Sequence, residues 1–232
     1  MAASRICSRL FLAACTIGLA VSGTPARAEG KASAATLAIK LFDRALSMPL
    51  PNDFTPVFRE ANAQSFLLEL LPKAEKLTNW RRMITISAAA GVGRSQHLTD
   101  DIARMLFGDS RGGCRSGYSY TPLGDIEAGE GITAVKVLIS CASLAENPKG
   151  GASPALGEQA FIIVARDSTN LYTIQIAERQ PAFEGKTGRY SAEGQDLLSS
   201  ILPLELCASY SEREHCNQVH LLAAAANARQ AQ

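Results

Sequence analysis

The stretch CASYSEREHCNQVH, Cys207 to His220, places two cysteines and two histidines close together near the C-terminal end of the sequence. Residues of these types can hold a metal, exchange electrons or form a staple. A tetrahedral zinc site is closed by separate, regularly spaced Cys and His pairs. His215 and Cys216 are adjacent instead, and although four residues separate His215 from His220, no cysteine pair of matching spacing accompanies them. Redox catalysis asks for C-x-x-C with a thiolate at a helix start, a spacing that none of the six cysteines has. A disulfide needs no such pattern. The stretch therefore predicts a Cys207–Cys216 bridge, and no metal or cofactor is expected.

A hydrolase needs a nucleophile, a base and a group that orients the base. Ser95 and His97 in GVGRSQH stand two residues apart, where they need not face each other, and no G-x-S-x-G elbow surrounds the serine. GVG lacks the third glycine of a dinucleotide loop, so a polar turn is the simpler account. Carboxylates pair at Asp100 and Asp101 and at Asp125 and Glu127. The first pair suits the positive end of a helix dipole and the second a hairpin turn. No residue is assigned a catalytic role. Trp80, Arg81 and Arg82 form the remaining cluster, and Trp and Arg are frequent interface anchors. These three are candidate partner-binding residues; the alternative is a Trp80 that plugs the end of the core, with both arginines in solvent.

Arg5 and Arg9 precede the apolar run LFLAACTIGLAV, Leu10 to Val21, and small residues at Ala26 and Ala28 follow. Charged, apolar and small-residue regions in that order form a secretory signal pattern. The run has 12 residues, against the roughly 20 that cross a bilayer as a helix. Cleavage before Glu29 would leave 232 − 28 = 204 residues with no transmembrane segment. A rival reading takes LAAC, Leu12 to Cys15, as a lipobox, with Cys15 lipidated and the protein a lipid-anchored structural element of the envelope. The chain has 23 Lys and Arg and 22 Asp and Glu; without Arg5, Arg9 and Arg27 the balance is 20 − 22 = −2. Nothing in that balance steers the protein to nucleic acid or to an anionic membrane. Four cysteines remain after export, an even number in an oxidising compartment. Cys114 and Cys141 are expected as the second bridge, and the bacterial periplasm as the location.

These residues must be positioned by regular elements. Leu37, Leu41, Phe42, Ala45 and Leu46 fall at helical intervals, which predicts a short helix over Ala35–Leu46, closed by MPLP. FTPVFRE reads as extended. Strands are expected at Gln64–Leu71 and Arg81–Ala88, then a helix in HLTDDIARMLFG with Thr99 as its cap and Gly108 at its exit. Four strands follow, at SGYSYTPLG, GITAVKVLISC, QAFIIVAR and LYTIQIAE, the last two joined by the turn DSTN. Ser191 caps a closing helix, SAEGQDLLSSIL. This order favours an α+β domain: a single antiparallel sheet of about five to seven strands packed by two or three helices. The layout is a signal peptide over 1–28, an extension with its short helix over 29–53, the α+β domain over 54–216 and an Ala-rich tail over 217–232.

The segment LPKAEKLTNWRRMITIS, Leu71 to Ser87, combines an acidic residue, Asn79-Trp80 and a Met-Ile-Thr-Ile strand. In this it resembles a group of uncharacterised exported proteobacterial domains, and in element order it is similar to the PsbP-like α+β sandwich. The resemblance implies a non-catalytic accessory or assembly factor and brings no functional residues with it. The expectation is therefore a non-catalytic periplasmic accessory or binding protein whose partner is an envelope protein. The alternative is a periplasmic hydrolase built on Ser95 and His97 or on carboxylates.

Overall fold

The computed structural model describes residues 35–108, 113–126, 131–147, 151–185, 190–202 and 204–207, and the backbone of 217–219. In chain order the elements are β1 (Ala35–Leu41), β2 (Arg44–Leu50), β3 (Phe54–Ala61), β4 (Ser65–Pro72), β5 (Arg82–Ala89), α1 (Thr99–Phe107), β6 (Cys114–Ile126), β7 (Thr133–Leu144), β8 (Leu156–Arg166), β9 (Leu171–Pro181), α2 (Ala192–Ser200), β10 (Leu204–Cys207) and β11 (Asn217–Val219). Seven strands form one antiparallel sheet in the order β3-β4-β5-β9-β8-β7-β6, and four form a second in the order β1-β2-β10-β11. No helix among the described residues is long and apolar enough to cross a membrane.

This overturns the expected α+β layout, PsbP-like in outline, of a single sheet packed by helices. The protein is mostly β, with two sheets facing each other across a shared core and, among the described residues, only two short α-helices. The difference begins at Ala35–Leu46, where the β1–β2 hairpin stands in place of the expected helix. Its apolar residues satisfy two periods at once. Leu37, Leu41 and Ala45 fit a helical stripe, but Leu37, Ile39 and Leu41 also alternate, and so do Leu46 and Met48. Phe42, at a φ of 57°, reverses the chain between them. Pairing of β2 with β10 then satisfies the backbone of a segment whose intrinsic preference is helical.

Between the sheets lie Leu41, Leu46 and Met48 from the small sheet and Ile84, Ile174 and Ile176 from the large one. The other face of the large sheet carries a second buried cluster, in which Ile102 and Ala103 of α1 and Trp80 join Val137, Ile162 and Ala177. β8 and β9 are buried on both faces, which is why AFIIVA and LYTIQIA read as near-continuous apolar runs. The two edges of this sheet are irregular. β3 is broken by a register shift between Pro56 and Phe58, and β6 by two, one between Cys114 and Ser116 and one between Pro122 and Gly124. α1 also departs from expectation: its N-cap is Leu98, which makes no side-chain cap bond, and the Thr99 hydroxyl instead meets that of Thr133 at 2.6 Å. Ser191 does cap α2, accepting the N–H of Gly194 at 3.0 Å.

A buried polar cluster joins the sheets. In the β8–β9 turn, the Asp167 carboxylate accepts the backbone N–H groups of Thr169 and Asn170 at 2.8 and 2.7 Å. It also accepts Arg44 Nε at 2.7 Å and the Tyr172 hydroxyl at 2.9 Å. The Asn170 amide donates to Asp43 at 2.8 Å, so both turn residues of the pair Asp43-Arg44 are engaged. Gly93 donates its N–H to Thr169, and a Cβ there would stand 2.4 Å from the Asp167 carbonyl oxygen. GVG thus lets a loop lie against this turn. Burial pushes the Asp167 carboxyl up, but the bonds from Asn170, Arg44, Thr169 and Tyr172 outweigh it and hold the group below its ordinary value.

Removing this carboxylate leaves the Arg44 guanidinium without its buried partner, a change that typically costs about 3–5 kcal/mol. Asp167→Ala should therefore show a much lower urea midpoint at neutral pH. Because the folded pKa is depressed, the contribution is complete above the unfolded carboxylate value and fades as pH falls through the folded one. The gap between wild type and variant should narrow only in acid; a gap constant to low pH would refute the assignment.

Candidate functional site

The outer face of the large sheet carries a hollow. Its floor is a run of rungs on the β8–β9 ladder, where Glu158 stands opposite Arg179, Ala160 opposite Ala177 and Ile162 opposite Gln175. The middle rung consists of two methyl groups between larger side chains, and Ala160 of that rung lines a cleft of about 540 Å³. Phe107 at the end of α1, Ile139 of β7 and Leu144 give it apolar walls, and Tyr118 and the Cys114–Cys141 disulfide close the β6 side. The Tyr118 hydroxyl donates to the Phe107 carbonyl, fixing β6 to the exit of α1.

One end of the floor is ionic. Arg179 Nε donates to Glu158 Oε2 at 2.9 Å, and the guanidinium carbon lies 3.7 Å from the centre of the Trp80 ring. The stack immobilises the guanidinium plane, and the ring supplies its negative face to a cation that has little water around it. Burial pushes the Glu158 carboxyl up, against the opposing pull of Arg179. Trp80 is held in turn by its own loop: Glu75 accepts the backbone N–H groups of Arg81 and Arg82 at 2.6 and 3.2 Å, and Arg81 O accepts the N–H of Arg179 at 2.7 Å.

The structure separates the three candidate partner-binding residues. Trp80 is buried, at 7 % exposure, so the core-plug alternative describes it. Arg81 is exposed, and Arg82 reaches Asp53 at 3.6 Å along the sheet margin. Cys114 and Cys141 are bonded as expected. Cys207 is buried and disulfide-bonded, with a partner outside the described residues, where Cys216, His215 and His220 also lie. Ser95 Oγ accepts the backbone N–H of His97 at 3.2 Å, which is a local turn; the His97 ring is exposed and makes no bond to Ser95. Asp100 pairs with Arg104 at 3.5 Å on the surface of α1, Asp125 is exposed on β6, and Glu127 lies outside the described residues. Among the described residues no group of three or more His, Cys, Asp or Glu side chains could hold a metal ion.

Sequence reasoning missed Glu158, Arg179, Gln175 and the alanine rung. A usable signal was present in DSTN. A four-residue turn that pairs Arg166 with Leu171 also pairs every position summing to the same total, so Glu158 must face Arg179 eight residues down the hairpin. No protein-family model matches the chain, and no curated protein matches it.

Trp80→Ala should cost about 3–5 kcal/mol, as for other buried aromatic truncations, whereas Arg81→Ala should stay within about 0.5 kcal/mol of wild type; urea denaturation separates the two. Equal midpoints would contradict the buried stack. The Cys114–Cys141 bridge closes a loop with a sequence separation of 27, for which chain entropy predicts a loss of about 3–4 kcal/mol on replacing both residues by Ser. A double variant as stable as wild type would show that the bridge constrains nothing.

Proposed function

We propose that this is a non-catalytic periplasmic binding or accessory protein of the cell envelope, and that its binding site is the cleft on the outer face of β8 and β9. The observation that carries the reading is the Trp80–Arg179–Glu158 assembly at the cleft floor: a rigid, partly desolvated polar contact inside an apolar hollow, the combination by which binding pockets orient a ligand. The Cys114–Cys141 disulfide supports an oxidising compartment. The local turn between Ser95 and His97 supports binding over hydrolysis. The resemblance of Leu71–Ser87 to exported accessory domains belongs to the same proposal.

The test is native mass spectrometry of the protein recovered from osmotic-shock fluid, beside Ala160→Leu, which fills the middle of the floor. The expected result is a bound small molecule on wild type that is lost from the variant. A bound mass retained equally by both proteins, or recovery only with the cytoplasmic fraction, would count against the proposal.

A further inference from the structure

We infer that the cleft selects a ligand with a primary ammonium head on a short apolar chain, Glu158 receiving the head and the floor beyond it receiving the chain. This rests on the reading of the cleft as a binding site and names the chemistry the site accepts.

The two ionic groups of the floor are not equally open. Arg179 has its Nε committed to Glu158 and one face covered by Trp80, and its side chain is 9 % exposed against 22 % for Glu158. The Glu158 carboxylate receives Arg179 on Oε2, while Oε1 carries no hydrogen bond among the described residues. Of the two, the more exposed side chain is therefore the acceptor, Glu158. Among the described residues lining the cleft, Glu146, Glu158 and Arg179 are charged, two acids and one base. In a partly desolvated site, a charge-assisted bond from an ammonium to a carboxylate is among the strongest that a single ligand head can make. The geometry of the chain follows from the ladder. Glu158 and Ile162 are four residues apart, about 13 Å along a strand, with the Ala160 methyl between them. A chain of several carbons laid from Glu158 over Ala160 meets Ile162 beneath it and Ile139 and Phe107 at its sides. Gln175 closes the far end, its amide without a hydrogen bond among the described residues.

Hexylammonium, hexanol and hexanoate share a chain and differ in the head. Amide chemical-shift titration of the purified protein at neutral pH reads both affinity and place. Hexylammonium is expected to bind at least about tenfold more tightly than hexanol, the change that goes with losing a hydrogen bond to a charged group, and hexanoate more weakly still. The shifts should centre on Glu158 to Ile162 and on Gln175. In Glu158→Gln, which conserves size and can still accept from Arg179, the ammonium should lose its advantage while hexanol is unaffected. Hexanoate binding tightest at the same amides, or equal affinity for all three, would overturn the ammonium assignment and leave the cleft a binding site. No binding by any probe, or shifts confined to other strands, would overturn the binding reading as well.

Discussion

The Asp167 carboxylate ties the turn of the β8–β9 hairpin to the turn of the β1–β2 hairpin, and through them one sheet to the other. Four donors converge on a side chain that is 4 % exposed. Their geometry leaves the turn a single length, and turn length sets strand register. A slip of one residue would move each side chain of β8 to the opposite face. Glu158 would then enter the space between the sheets, and Gln159 would take its place in the cleft. The ionic floor thus depends on a contact eight rungs away, about 27 Å along the hairpin.

The sequence made the central strands of the large sheet legible because their apolar runs are bounded by clear turns. RRMITISA alternates, and DSTN contains an Asp and an Asn able to bond their own backbone, as Asp167 does. The second sheet was not legible. Ala35–Leu46 carries residues of good helix propensity at spacings that serve either period, and the decision is made by β10, more than 150 residues further on. The closing strand LELC is four residues long and begins four positions after the last residue of α2, too short for alternation to announce it. Long-range pairing overrode local preference.

The candidate site was obscured for a different reason. The chemically suggestive residues are Ser95, His97 and the C-terminal cysteines, whereas the middle of the cleft floor is Ala160. Alanines in a strand signal nothing by themselves. Trp80 was noticed as a cluster with its neighbouring arginines, yet the arginine that matters to it is Arg179, brought across from β9. Adjacency in sequence was a poor guide because β5 and β9 are neighbours only in space. A buried ion pair of this kind adds little net stability, since desolvation offsets much of the attraction; its value lies in holding a polar atom at a defined place.

The irregular edges of the large sheet bear on how anything can approach this protein. An open edge recruits another chain by lending it main-chain hydrogen bonds, a mode that needs a straight, unbroken row of donors and acceptors. β3 interrupts that row at Pro56 and β6 does so twice, with Pro122 beside the second break. Proline and bulges at edges are the means by which β proteins discourage fibrous self-association. The same irregularities make each edge of this sheet a poor template for an added strand, and leave its faces, where side chains rather than backbone groups are presented, as its regular surfaces.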